Sequence, residues 1–218
     1  MDISNKNLTK KQDLLIKYYL KNTSGMYVLS LIACFITYQS GGSNFFKSIY
    51  TILTATLVTW LGHYLLHNYN TYNPIAKIHK ITHHSKFAHT FLGKLIEYSI
   101  IEFFFFGGGI LLILTILYQR RSKVWVFDPY VLFYWSLAVP FIHEVYYHML
   151  QFSDYHKLHH KHPDKVYAPE IWDIIFDTKV DNIPVYNENQ LLPTMILLLV
   201  IIVPFIGTKY DIIKYFAK

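Results

Sequence analysis

The sequence predicts an all-α protein, a polytopic membrane helical bundle of four to five spans with a cytosolic cap of short helices that carry clustered histidines. Three observations predict it. The 218-residue chain is 53% hydrophobic and 18% aromatic with a positive mean hydropathy, too apolar for an ordinary soluble domain of this size. Several apolar runs approach the ~20 residues that cross a bilayer. Of the 12 histidines, all but His89 and His162 fall into four groups, each at the end of an apolar run or just beyond it. The length suits one domain, and residues 1–218 read as a single membrane-integral unit.

The elements follow in chain order. Residues 1–22 are polar and basic, with Lys6, Lys10, Lys11, Lys17 and Lys21. Leu8, Leu15, Tyr18 and Tyr19 recur at roughly helical spacing, which predicts a basic amphipathic helix on the membrane surface. No cleavable signal is expected, because no small-residue cleavage site follows the apolar run. Residues 26–38 are apolar but short for a span. Ser40 to Asn44 reads as a turn, and residues 45–66 form a longer second run that ends at His63 and His67, so the two runs predict a helical hairpin. Residues 67–94 are too polar to cross. The third run, 95–118, contains four consecutive phenylalanines and then Gly107, Gly108 and Gly109, which permit close helix packing or a bend. Gln119 to Pro129 is a basic loop. The fourth run, 130–150, carries His143 and His148 in its last two turns. Residues 151–190 are polar, and a fifth run, 191–207, is interrupted by Pro193 and Pro204 before the tail to residue 218.

Runs three and four form a hairpin that leaves one face and returns to it, so all four histidine groups are expected on one side. Most of the lysines outside the runs lie there too, and the positive-inside bias makes that side cytosolic. The formal net charge is +6, but the basic residues are spread through the loops and form no stripe, which argues against a nucleic-acid partner. Cys34 is the only cysteine, so neither an intramolecular disulfide nor a cysteine-based zinc site is available.

Helical geometry puts residues four apart on one face, so His63 with His67, and His79 with His83, read as two-ligand clamps. His84 sits about 100° further round and reaches a second ion. His156 faces both His159 and His160. This many imidazoles exceed a single tetrahedral zinc site and suit two ions of four or five nitrogens each. His143 and His148 are five apart, which is not one α-helical face; the helix unwinds there, or the two bind different metals. Glu144 is four before His148 and is a candidate ligand or orienting acceptor. Imidazole suits zinc, copper, iron and nickel alike. A two-metal site on a bilayer is the setting needed to activate dioxygen beside a lipid C–H bond. His89 and His162 read as interfacial polar residues.

The ordered groups H-x3-H (63–67), H-x3-HH (79–84), H-x4-H (143–148) and H-x2-HH (156–160) resemble the integral-membrane fatty acid hydroxylase and sterol desaturase superfamily. The segment Trp172-Asp173-Ile174-Ile175-Phe176-Asp177-Thr178 resembles that family's W-D-x-x-F-G-T close, with Asp177 where glycine is usual. The second group has three residues between His79 and His83 where the family commonly has two. The resemblance covers roughly residues 50–180. It implies a non-haem di-metal oxygenase with two iron ions, zinc being possible in isolated protein, and dioxygen as co-substrate. The implied substrate is a fatty acyl, sphingolipid or sterol lipid in an endoplasmic-reticulum-type membrane. Two electrons would come from a separate donor, a small haem or iron–sulfur carrier with its reductase. The implied metal ligands are His63, His67, His79, His83, His84, His143, His148, His156, His159 and His160; Glu144 is the catalytic candidate on its spacing to His148, apart from what the resemblance implies.

Other readings stand beside this one. A membrane metal-ion transporter or metal-binding membrane protein would use the same histidines, but transporters place ligands at the bilayer midplane on broken helices. A scaffold without activity and a zinc hydrolase are the remaining alternatives; a hydrolase needs three protein ligands and a water, leaving most of these histidines surplus. His162-Pro163-Asp164-Lys165 matches the loop of J-domain co-chaperones, which sits between two amphipathic helices; here it follows a histidine group directly and precedes Ala168-Pro169, so the match reads as coincidence.

Overall fold

The computed structural model describes residues 2–68, 73–124, 126–150 and 154–206; the side chains of residues 2–7, Asn68, His89 and His148 lie outside that description. Among the described residues every regular element is a helix, and the all-α expectation holds. Helix α1 spans Asp2–Gln39, α2 Phe45–Asn68, α3 Pro74–His83 and α4 Phe91–Ile96. Helix α4 widens directly into a π-helix, Glu97–Phe106, and α5 follows as Gly109–Ser122. Helix α6, Pro129–Phe141, likewise widens into a π-helix, Ile142–Met149. The short helices α7 (Asp154–Lys161) and α8 (Glu170–Ile175) precede α9 (Leu192–Ile202), which is flanked by 3-10 turns at Glu188–Leu191 and Val203–Phe205.

The break expected between a surface helix at 1–22 and an apolar arm at 26–38 is absent. The two are one helix of 38 residues, which rises roughly 57 Å against the ~30 Å of a hydrocarbon core. Its N-terminal half is docked against the protein. Asn22 Nδ2 donates to the Tyr186 carbonyl at 3.0 Å, Asn22 Oδ1 accepts from Glu188 N at 2.7 Å, and the Tyr18 hydroxyl donates to Glu188. Tyr18 and Asn22 are buried in consequence. Helical spacing was legible there, but its partner lies about 165 residues on and no local pattern reveals it. The helix ends where Gly41 takes φ +82°, a left-handed value that glycine adopts without steric cost.

Helix starts are set by side-chain caps. Asn73 accepts from Ile75 N with Pro74 in the first turn, Thr90 accepts from Gly93 N, and Asp128 accepts from Tyr130 N and Val131 N. Asp128 also accepts from Thr37 Oγ1 at 2.6 Å, which ties the start of α6 to the end of α1. Helix α6 is the centre of the bundle: Val131, Leu132, Tyr134 and Ala138 are wholly buried. They pack with Ile36, Ile52 and Leu198 of α1, α2 and α9. Such contacts supply the dispersion attraction that holds helices together where lipid is as apolar as the core.

The third apolar run is bent by 55° between Phe91–Phe106 and Gly109–Ser122. Both uses of its glycines are realised. Gly108 has φ +78° and turns the chain, while a Cβ on Gly107 would stand 2.6 Å from the Ser136 carbonyl oxygen. Two helices are long and apolar enough to cross a membrane, Phe45–His67 and Glu188–Phe205, and the bent pair makes a third if counted as one span. Pro193 sits in the first turn of α9 and Pro204 in the closing 3-10 turn, so neither interrupts the fifth run. The tail at 207–218 lies outside the described residues.

Candidate metal centre

The ends of α2 and α3, the π-helix after α6, and α7 bring the histidines to one place. His63, His67, His79 and His159 form a first group whose donor nitrogens all lie within 4.8 Å of one another. Their outer nitrogens decide what the inner ones can do. His63 Nδ1 is 2.7 Å from the Tyr167 carbonyl oxygen, so Nδ1 carries the proton and donates. His159 Nδ1 faces the Lys165 carbonyl at 3.3 Å, and His79 Nδ1 faces Glu97 Oε1 at 3.1 Å. In a neutral imidazole the second nitrogen is then a bare lone pair. Yet His63 Nε2 and His159 Nε2 are 3.1 Å apart, and His67 Nε2 and His79 Nε2 are 3.0 Å apart.

The bare lone pairs of His63 and His159 repel at that distance unless a cation lies between them, while the His67 tautomer decides whether its Nε2 donates to His79 or joins the lone pairs. Nitrogens ~2.0–2.1 Å from one ion stand roughly 2.9–3.5 Å apart at angles near 90–110°. The donor set therefore fits a transition-metal ion. Burial, followed by the neighbouring imidazoles, holds His79 far below the ordinary histidine range, and burial brings His159 down to about 3. Both are neutral at pH 7, the state that metal ligation requires.

A second group gathers around His83, which meets His143 and His156 in one set of donors and His84 and His160 in another. His156 Nε2 and His160 Nε2 are 3.0 Å apart. His84 Nε2 is buried and has no hydrogen-bond partner in the protein. Burial is again the main cause that puts His83 well below its usual value and His84 at about 4. The expected His79/His83 clamp is not one clamp: the two rings stack at 5.0 Å, but His79 joins the first group and His83 heads the second. Their Nδ1 atoms share a carboxylate, Glu97 Oε1, at 3.1 and 3.5 Å. Similarly, His156 and His160 each belong to a set around His83, and His159 belongs to the first group.

His143 and His148 lie on a π-helix, whose i-to-i+5 hydrogen bonding brings residues five apart nearer to one face. The helix there widens rather than unwinds. The His148 side chain, like that of His89, lies outside the described residues. Glu144 takes a hydrogen bond from the Tyr98 hydroxyl and is not among the clustered donors. His162 is exposed and outside both groups, in the turn that closes α7.

Behind the first group stands a carboxylate hub. Asp173 is wholly buried and accepts from Trp60 Nε1 (2.9 Å), Tyr155 Oη (2.7 Å), Thr178 Oγ1 (2.5 Å) and the backbone N–H groups of Tyr167 and Ala168 (3.0 Å each). Val166 and Ala168, on either side of Tyr167, have φ +67° and +50°. A left-handed valine is strained by ~1–3 kcal/mol and persists only where its surroundings over-determine it. Here Asp173 does so, and the outcome is a Tyr167 carbonyl aimed at His63. Asp177 has φ +58°, so the turn keeps the conformation for which glycine is favoured.

Two acids were missed by sequence reasoning, Glu97 and Glu102. Both are buried, and Glu102 Oε1 is 2.8 Å from His143 Nδ1. The signal was available: they are the only charged residues in the run 95–118, and ionisable groups inside apolar spans are costly and usually functional.

A cavity of about 240 Å³ opens from the histidines. Its lining includes His63, His83, His143 and His159 together with Leu29, Leu53, Trp135, Val139 and Met195. Comparison of the chain with family models, with curated proteins and with solved structures returned no match.

Proposed function

We propose that the protein is a membrane-bound di-iron oxygenase that hydroxylates or desaturates a lipid, related to the fatty acid hydroxylases and sterol desaturases that its histidine order resembles. The observation that carries this reading is the meeting of two histidine groups with a largely apolar cavity: His63, His83, His143 and His159 line the same cavity as a set of aliphatic and aromatic side chains. A hydrocarbon chain is the ligand such walls accept. His63, His67, His79 and His159 hold one ion, and His83 with His84, His143, His156 and His160 surrounds the other. A bound iron pair supplies the reduction of dioxygen and the cleavage of an unactivated C–H bond.

The remaining work falls to the chain. The Tyr167 and Lys165 carbonyls fix the tautomers of His63 and His159, and Glu97 fixes that of His79. Asp173 holds the Tyr167 strap in place. Leu53, Trp135 and Val139 exclude water and align the substrate chain with the metal end. In hydroxylation one oxygen atom enters the C–H bond and the other leaves as water, with two protons and two electrons consumed. The electrons come from a separate haem or iron–sulfur carrier. The chain has four to five spans in an endoplasmic-reticulum-type membrane, and the histidine face, with its short helices, is the cytosolic cap.

The test is lipid analysis of cells that express the chain beside a His159→Ala/His160→Ala double variant, which removes one nitrogen from each group. A new oxygenated or unsaturated lipid made only by the intact chain is expected. Equal lipid profiles, together with metal uptake that depends on the same residues, would replace the oxygenase reading with the transporter.

A further inference from the structure

Glu102 is wholly buried, yet neither carboxylate oxygen accepts a hydrogen bond, although Oε1 lies 2.8 Å from His143 Nδ1. Glu97 behaves differently. Its Oε1 faces His79 Nδ1 at 3.1 Å and its Oε2 accepts from the Thr82 hydroxyl, so both oxygens have partners. Glu97 is therefore an outer acceptor that orients an imidazole. Glu102 has the geometry of a ligand: an oxygen and a nitrogen side by side, outside hydrogen-bonding alignment, as two donors to one ion stand. His83, Glu97 and Glu102 also offer donor atoms within 4.8 Å of one another, and Glu102 lines the cavity beside His83 and His143.

Charge points the same way. Two divalent ions bring four positive charges into a buried site, and neutral imidazoles offset none of them. Uncompensated buried charge is strongly unfavourable. Among the described residues, Glu97 and Glu102 are the only carboxylates within the clustered donors.

We infer that Glu102 is a direct ligand of the second ion, which makes that site a mixed carboxylate–imidazole site with His83 and His143, while the first site is held by imidazoles alone. The inference rests on the di-metal reading. It has a consequence for metal choice. A carboxylate oxygen among the imidazoles around His83 adds a hard donor, which suits iron and manganese, whereas an all-imidazole site also suits zinc and copper. The second ion is the more weakly held and the more selective for iron or manganese.

The experiment uses the full chain in nanodiscs, loaded anaerobically with ferrous iron, desalted, and counted for metal per chain. The intact chain is expected to hold two ions and Glu102→Gln one, with the second ion's affinity reduced roughly tenfold or more. Two ions retained in Glu102→Gln with unchanged resistance to a chelator would overturn the inference. So would loss of both ions with an unchanged melting profile. No metal in the intact chain would instead sink the di-metal reading itself. Should Glu102→Gln fail to fold, the intact chain decides alone. With ¹³C-labelled glutamate, iron loading is expected to shift glutamate carboxylate bands in the infrared difference spectrum, and the absence of any glutamate band overturns the assignment.

Discussion

The two histidine groups are built differently. In the first, His63, His79 and His159 are buried, and their outer nitrogens are held by two backbone carbonyls and Glu97. In the second, His83 and His143 are enclosed, but His84 and His156 are half-buried and His160 is exposed. On the di-metal proposal, the first group is organised before an ion arrives and the second acquires part of its order from one. Preorganised donors bind more tightly because less ordering entropy is lost on binding. On the di-metal proposal the first ion is the more tightly held, and both groups face the cavity, the first through His63 and His159 and the second through His83 and His143.

The largest effect that can break this contrast comes from single histidine changes. His159→Ala should empty the first site and abolish product, a loss of at least about 100-fold. His160→Ala should leave one ion per chain and also lose product, because the proposed chemistry needs the iron pair. Loss of both ions in either variant would show that the groups do not fill independently. Next in size is metal removal. Chelation of the intact chain should proceed in two steps, the second-group ion leaving first, and the melting temperature should fall with each step because bound metal stabilises only the folded state. A single-step release would erase the proposed asymmetry.

Asp173→Asn should cost about 2–4 kcal/mol in stability, since one charged acceptor serves five donors. It should also lower first-site occupancy through the Tyr167 strap while leaving the second site filled. Metal counts joined to a thermal melt read both. Thr82→Val removes one partner of Glu97 and should cost about 1 kcal/mol, with a small affinity change at both ions, because Glu97 Oε1 faces His79 and His83 alike. Lys10→Ala is the smallest case. Its 2.5 Å ion pair with Asp181 is solvent-exposed, so both melting temperature and metal content should stay within error of the intact chain.

Much of the fold and part of the site could be read from residue order. Apolar runs at 45–66 and 95–118 became helices because length and composition suffice to define a candidate span. The i,i+4 spacing of His63 and His67 put both on one helix face, and both joined one group. Sequence reading failed where a partner was distant. Lys10, Tyr18 and Asn22 look like one edge of a surface helix until Asp181, Glu188 and Tyr186 are placed beside them. It failed again at His79 and His83, whose shared face did not settle which group each ring would join. Glu97 and Glu102 were visible as lone acids in an apolar run, but their meaning needed the imidazoles opposite.

Sequence by itself determined the helical class, the apolar stretches able to cross a bilayer, and which side chains can ligate a metal. Those properties come from composition and short-range periodicity, which act within a few residues along the chain. Only the tertiary structure decided how nitrogens were shared between two sites, which ring atoms carry protons, and which acid sits unpartnered beside His143. Such features depend on approaches of about 3 Å between residues far apart in sequence, and no local rule encodes a distance across the bundle.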